Sequence, residues 1–353
     1  MVTVMLDDRA TVRKVDQSDM LSLMERTSDR LVPPPGAEST CRLDIVRPLN
    51  IVFAGVGGSG IVGEILTDYC RETIRIPATV CRSVMIPKFV DENTFLVAIS
   101  YSGETRETLE MFEQSRRANA KMAVVCSGGR LLDAAQTHRI PYVKVAAGMV
   151  QRVALPELLS AVTHVLGKAG ILEDSDRLLD AASKAAKDVI GKVKIAVPLA
   201  QNPAKQIATA FMGHLPLLIG GEQNISVLRR FKNELNENSK VPAVFYTLPE
   251  AFHDDVEGLE ALAQLTQPQP VILRSVTETE GERRVGERLV DAFSQLAFPK
   301  PLFFSGVGKG RYEWLLSAIT FGDFVSVYLS ALRGVDPSKL SWIPHFRAIR
   351  GQV

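Results

Sequence analysis

Short, wholly apolar runs alternate with helical patterns along most of this chain, and that alternation constrains the fold more than any other feature. Residues 50–54 (NIVFA), 78–81, 94–99 (TFLVAI), 121–125 and 141–145 read as buried strands, separated by helical patterns over 59–73, 104–118 and 130–138. Runs without polar alternation fit strands covered on both faces, and the intervening helices supply the crossovers that parallel neighbours need. An α/β fold with a doubly wound parallel sheet is therefore expected. After a helix over 151–169 and a strandless, helical stretch near 170–195, the pattern returns. Strands are expected near 215–219 (LPLLI), 243–247, 270–274 and 301–305. A chain of 353 residues exceeds one ordinary core, so two such units are predicted.

A first helix is expected from Asp19 to Leu31, where Met20, Met24, Thr27 and Leu31 recur at helical spacing before Val32-Pro33-Pro34-Pro35-Gly36 stops it. A last long helix over 311–333 places Leu315, Ile319, Gly322, Val325, Leu329 and Leu332 on one stripe. The expected organisation is an N-terminal helical extension (1–39), a first α/β unit (40–190) and a second (191–353).

Composition excludes several classes of partner. Lys and Arg number 41 against 40 Asp and Glu, which leaves no electrostatic footprint for nucleic acid or an anionic membrane. No uncharged apolar run approaches about 18 residues, so no membrane span is expected. The N-terminus (MVTVMLDDRATVRK) has early acids and no apolar h-region, which points to the cytoplasm. Cys41, Cys70, Cys81 and Cys126 form no C-x-x-C pair, and no His stands at metal-ligand spacing from them. They read as reduced core thiols, and no metal or other cofactor is called for.

The stretch Asn50-Ile-Val-Phe-Ala-Gly55-Val-Gly57-Gly58-Ser59-Gly60 ends a strand in a glycine-rich turn that opens a helix. Such a turn aims free backbone N–H groups at an anion. Gly55, Gly57 and Gly60 also satisfy the dinucleotide fingerprint G-x-G-x-x-G. That reading wants an acid at the end of the next strand, where this chain has Thr79-Val80-Cys81-Arg82. Arg82 would have to face the 2′-phosphate of NADP instead. A second stretch, Ser100-Tyr101-Ser102-Gly103-Glu104-Thr105, again lies between a strand and a helix. Neighbouring parallel strands deliver such loops to one crevice. Ser59, Ser100, Ser102 and Thr105 should therefore meet there as a neutral, hydroxyl-rich phosphate cradle. The plainer alternative is that these residues cap a helix.

GVGGSG paired with SYSGET resembles a sugar isomerase (SIS) domain, a phosphosugar-binding α/β module. The stretch Phe231-Lys-Asn-Glu234-Leu-Asn-Glu237-Asn-Ser-Lys240, with Phe252-His253 after it, resembles the bifunctional phosphoglucose/phosphomannose isomerase family. Gly322-Asp323-Phe-Val-Ser and Gly334-Val-Asp336-Pro337 fit the same family. The resemblance implies two SIS subdomains and a metal-independent aldose–ketose isomerase acting on hexose 6-phosphates. It also implies a homodimer with a shared active site. The second half lacks an S-x-S-G-x-T counterpart, so the phosphate is expected in the first half, on Gly58, Ser59, Ser100, Ser102 and Thr105.

Isomerisation moves a proton between C1 and C2 through an enediolate, so one base must reach both carbons. The resemblance implies Glu237 as that base, although Glu234, one turn earlier, shares its helix face. It implies His253, contributed by the neighbouring subunit, for ring opening. It also implies Arg152 as the cation that faces the developing enediolate. Two departures stand out. His253 is followed by Asp254-Asp255, an acidic setting, and the C-terminal region offers Ser338-Lys339 where the family places a threonine and, later, a catalytic lysine. Lys339 is the nearest candidate, though early in the spacing. The competing reading is a non-catalytic sugar-phosphate-binding regulator.

Overall fold

The computed structural model describes residues 6–32 and 47–350. Cys41, the stop at residues 33–36 and the expected boundary at 39/40 lie outside the described residues.

Two parallel sheets form the framework. The first contains β1 (Asn50–Ala54), β2 (Ala78–Cys81), β3 (Thr94–Ser100), β4 (Lys121–Cys126) and β5 (Tyr142–Lys144), in the order β2-β1-β3-β4-β5. The second contains β6 (Leu215–Gly221), β7 (Val244–Leu248), β8 (Pro268–Arg274) and β9 (Leu302–Ser305), in the order β7-β6-β8-β9. Every pairing is parallel. The two orders correspond, with β6 in the place of β1 and β8 in the place of β3. All nine strands overlap the runs read from sequence.

Side-chain alternation sorts the apolar residues into layers. Ile51, Phe53, Phe95 and Val97 of the first sheet share one large core with Leu218, Val271, Leu273 and Phe304 of the second. The opposite faces carry separate cores: Val52, Ala54, Leu96 and Ala98 on the first sheet, Leu217, Ile219 and Ile272 on the second. The shared core is filled by α4 (Gly58–Thr73), α7 (Leu155–Lys168), α8 (Ser175–Val193), α10 (Ile225–Glu237) and α13 (Arg311–Leu332). The outer faces are covered by α5 (Arg106–Arg117), α6 (Gly129–Thr137), α11 (Leu259–Thr266) and α12 (Glu280–Gln295). A short helix, α9 (Pro203–Ala210), leads into the second sheet.

Helix α13 departs from its expected single stripe. Almost every residue along it is buried, polar ones included, because it runs between the sheets and meets neighbours on all sides. It is long and apolar enough to cross a membrane, yet 89% of its apolar window is buried inside the protein. Gly322 sits where an added Cβ would press on the Phe231 ring at 3.1 Å, so glycine is what allows α13 to close against α10.

The expected first helix is also different. A helix that was not expected, α1 (Arg9–Val15), precedes it, and the expected helix itself is interrupted at Arg26 into α2 (Met20–Glu25) and α3 (Thr27–Arg30). The Asp16 carboxylate accepts from Met20 N and Leu21 N at 2.9 and 2.8 Å and starts a new helix there. These helices touch both halves: Arg30 Nη1 donates to Val153 O and pairs with Glu157 at 3.0 Å, and Lys205 Nζ pairs with Asp7 at 2.8 Å. The last helix, α14 (Trp342–Arg350), is an element that the sequence pattern did not announce.

Candidate active site

In an open α/β sheet the strand order reverses at one crevice, which is where ligands bind. Here that crevice lies at the carboxyl ends of β1 and β3. Gly57, at φ +60°, turns the chain into α4, and no side chain caps that helix. Its first N–H groups are thus open to an anion. Ser59 Oγ accepts from Tyr101 N at 3.2 Å and ties the two loops together. Ser100 Oγ donates to Thr105 Oγ1 at 3.0 Å and accepts from Gly103 N at 3.1 Å, while Ser102 Oγ accepts from Glu104 N at 3.2 Å. Thr105 occupies the N-cap of α5 without capping it, so the plain capping explanation fails for this residue. Ser59 and Ser100 are buried, and Ser102 is exposed at the mouth. Gly103, at φ +69°, passes so close to Gly128 that any side chain would collide with its carbonyl.

The equivalent place in the second sheet is built differently. The loop after β8 reads Ser275-Val276-Thr277-Glu278-Thr279. Its Thr279 forms a reciprocal capping box with Glu282 on α12, so the Glu282 and Thr279 N–H groups are taken up and a carboxylate occupies the entrance. Arg82 is likewise occupied, at 2.9 Å from Glu64 and 3.3 Å from Gly60 O. These partners engage its guanidinium, which is not left free for a 2′-phosphate.

Two helices carry Glu237 to the crevice. Asp68 Oδ2 on α4 accepts from Ser226 N on α10 at 2.9 Å, and Glu64 pairs with Arg229 at 2.9 Å. Contacts that descend one helix as they ascend the other mean antiparallel packing. About two more turns along each helix bring the end of α10, Glu237, beside the glycine turn. Arg152 meets it there. It lies in a 3-10 turn, Gln151–Ala154, ahead of α7, and the Gln151 amide lies over Gly58. Arg152 is buried, and its Nη1 pairs with Glu237 Oε2 at 3.0 Å. Its Nε donates to Asn238 Oδ1 at 2.8 Å, and its Nη2 donates to Pro337 O at 2.8 Å and Ser338 O at 3.1 Å. The guanidinium is thereby fixed in place, as a charge stabiliser must be.

Glu234 and Glu237 are separated by their surroundings. Glu237 is 29% exposed. Glu234 is sealed: Oε1 pairs with Arg230 at 2.7 Å and Oε2 accepts from Asn238 Nδ2 at 2.8 Å. Arg230 also pairs with Asp323 on α13 at 3.0 Å and donates to Arg152 O at 2.8 Å. Burial alone would lower the Arg230 pKa, but the Asp323 and Glu234 carboxylates outweigh it and hold the guanidinium charged. Burial raises the pKa of Glu234. With both oxygens engaged and no exposure, this carboxylate braces Arg230 and Asn238 and does not open on the crevice.

Lys339 and His253 stand apart from this cluster. Lys339 is exposed and makes no hydrogen bond or ion pair among the described residues. The lysine at the cluster is Lys240, whose Nζ donates to Glu237 O at 2.6 Å and Asp336 O at 3.1 Å. Burial, then the Arg152 charge, pushes its pKa down to about 8. His253 is exposed and follows the carboxyl end of β7. Glu237 ends α10, before the amino end of that strand, so β7 alone sets the two about 16 Å apart. Asn238 and Lys240 were written in the N-E-N-S-K stretch. Arg230 and Asp323 carried a fainter signal, a charge on an otherwise apolar helix face.

Residues 200–349 match the bacterial phospho-glucose isomerase C-terminal SIS domain. A bifunctional phosphoglucose/phosphomannose isomerase from Caldicellulosiruptor bescii is 27% identical over 83% of this chain and 87% of its own. The protein of the same name from Aquifex aeolicus is 29% identical over 86% and 91%. A glucose-6-phosphate isomerase like protein from Thermus thermophilus shares the fold at a TM-score of 0.64, with 15% identity over 98% of this chain and 99% of that one. With its two corresponding parallel sheets and its hydroxyl-lined crevice, the chain is similar over most of its length to bifunctional phosphoglucose/phosphomannose isomerases, and its residues 200–349 carry the C-terminal SIS domain of the bacterial phospho-glucose isomerases.

Proposed function

We propose that this protein interconverts fructose 6-phosphate with glucose 6-phosphate and mannose 6-phosphate by proton transfer through an enediolate. The observation that carries this reading is the Glu237 carboxylate held 3.0 Å from a buried Arg152 guanidinium beside a neutral, hydroxyl-lined crevice. The N–H groups at Gly58 and Ser59 and the hydroxyls of Ser100, Ser102 and Thr105 bind the phosphate, which anchors the open-chain sugar. Glu237 removes a proton from C1 of the ketose, and the electron pair becomes the C1–C2 double bond as charge grows on the C2 oxygen. Arg152 faces that charge, the hydroxyl proton passes from the C1 oxygen to the C2 oxygen, and Glu237 returns its proton to C2 as C1 becomes the carbonyl of the aldose. Base catalysis of this kind contributes about 10²–10⁴-fold. Return to either face of C2 gives the glucose or the mannose configuration. Arg152 supplies the fixed positive charge, so the reading needs no metal.

Ring opening falls to His253, which shuttles a proton between the ring oxygen and the C1 hydroxyl. The strand between His253 and Glu237 argues that each site takes this histidine from a second copy, which makes the active form a homodimer. Free, buried Cys70, Cys81 and Cys126 support a reducing, cytoplasmic setting.

The test is incubation with fructose 6-phosphate in D₂O containing EDTA, followed by NMR. Glucose 6-phosphate and mannose 6-phosphate deuterated at C2 are the expected products. A bound phosphosugar with no exchange would favour a sensor, and loss of activity to the chelator would overturn the metal-free mechanism.

A further inference from the structure

Helix α14 and the loop that bears His253 are two exposed, charge-unbalanced surfaces of one chain. On α14, Trp342 is 71% exposed and Phe346 60%, and Ile349 continues the same face at helical spacing. Arg347 lies beside this face, exposed and without an ion pair among the described residues. The loop carries Phe252, exposed, among Glu250, Asp254, Asp255 and Glu257. Among the described residues none of these four carboxylates forms an ion pair. Their crowding shows in Asp255, whose pKa burial and then Asp254 and Glu250 push upward. One surface is apolar and basic, the other apolar and acidic.

A distance argument brings them together, and it rests on the shared-site reading. If His253 of a second copy enters this crevice, its loop lies against Arg152 and Glu237. Ser338 O is 3.1 Å from Arg152 Nη2, and Trp342 is four residues further on. Extended chain covers at most about 14 Å in that span. The start of α14 is therefore within reach of whatever delivers the histidine.

We propose that α14 is a clasp for a second copy of this chain: Trp342 and Phe346 pack on the partner's His253 loop around Phe252, and Arg347 faces its acidic residues. By two-fold symmetry the contact occurs twice. The same loop then delivers the ring-opening group and receives the clasp, so assembly and activity depend on one contact. This gives the departure from the family sequence, Asp254-Asp255, a role in partner recognition.

The test uses the full chain and two separate readouts. Trp342→Ser with Phe346→Ser should leave the melting curve near that of the parent, because α14 is exposed within one chain. Sedimentation velocity should show dimer dissociation weakened at least about 100-fold, as loss of two aromatic anchors implies. Activity should fall at low enzyme concentration and return as concentration rises. Arg347→Glu should weaken the dimer, and adding Asp255→Arg should restore it. A doubly substituted chain that dimerises like the parent overturns the clasp. The shared site is judged independently by mixing Glu237→Gln and His253→Ala subunits. Activity recovered on mixing supports the shared site even if the clasp fails, and no recovery removes the shared site and the distance argument with it.

Discussion

Asn238 joins the two charges of the crevice: its Oδ1 accepts from Arg152 Nε at 2.8 Å while its Nδ2 donates to Glu234 Oε2 at 2.8 Å and Ser326 Oγ at 2.9 Å. One amide thereby connects the guanidinium to a buried carboxylate, and only this orientation satisfies all three partners. Asn238→Ala leaves Arg152 Nε and Glu234 Oε2 unpaired, at a cost of about 1–3 kcal/mol in stability. Freed from one tether, Arg152 should lose part of its alignment. We expect kcat to fall about 10–100-fold with KM little changed, since the phosphate cradle is untouched. Asn238→Asp should be worse, because it sets a carboxylate against Glu234. Steady-state kinetics and a thermal melt of both variants check this, and an Asn238→Asp enzyme with parental kcat would remove the positioning role.

The two glutamates should respond in opposite ways. Glu237→Gln keeps the shape and removes the proposed base. Exchange at C2 should drop by about 10²–10⁴-fold while the fold stays stable, since Glu237 is partly exposed. Glu234→Gln weakens a sealed contact of Arg230, which keeps Asp323 as its partner, so stability should fall by about 1–3 kcal/mol, with solvent exchange persisting in the folded fraction. Solvent-exchange NMR beside calorimetry separates the two. A Glu237→Gln enzyme that still exchanges would transfer the base role elsewhere.

That split shows where the sequence stops being informative. The strands were legible because a strand buried on both faces must be apolar throughout, and TFLVAI or LPLLI admits little else. The crevice was legible because glycine turns and closely spaced hydroxyls are local signals. The choice between Glu234 and Glu237 was not, because helical spacing gives them one face. What separates them is Asp323, roughly ninety residues away on α13, which completes the seal around Arg230. The interruption of the N-terminal helix at Arg26 was hidden as well, because Met20, Met24, Thr27 and Leu31 keep helical spacing across it. Helix α14 escaped notice because Pro344 reads as a breaker, although proline is tolerated in a first turn.

Asp68 offers a test of the link between the halves. Burial pushes its pKa up to about 7, from a model-compound value of 3.8, against the pull of its bonds to Ser226. Its Oδ1 has no hydrogen-bond partner among the described residues. A carboxyl whose pKa rises on folding contributes fully below its unfolded pKa, and that contribution is lost as pH climbs through about 7. The wild-type protein should thus lose stability between pH 4 and 7 by on the order of 4 kcal/mol from this group. Asp68→Asn, which keeps an acceptor for Ser226 N, should flatten that slope. Chemical denaturation at several pH values reads it directly, and parallel curves for the two proteins would refute it.

Lys240 should set the alkaline limit of activity. Its ammonium, with a pKa near 8, holds the carbonyls of Glu237 and Asp336 together and so fixes the end of α10 against the 336–338 segment that Arg152 also grips. Above pH 8 the charge is lost, the charge-assisted bonds weaken, and kcat/KM should decline. For stability the sign is reversed. A lysine whose pKa falls on folding contributes most above its unfolded value, and that contribution disappears as pH drops through about 8. Activity and stability should therefore move in opposite directions between pH 8 and 10. Arg stays charged throughout this range, so Lys240→Arg should carry the alkaline limb at least one pH unit higher, and Lys240→Met should lower kcat/KM at every pH. The measurement is kcat/KM for fructose 6-phosphate from pH 6 to 10. If the alkaline limb of Lys240→Arg overlays that of the parent, the group that titrates is another one, and Lys240 serves the fold alone.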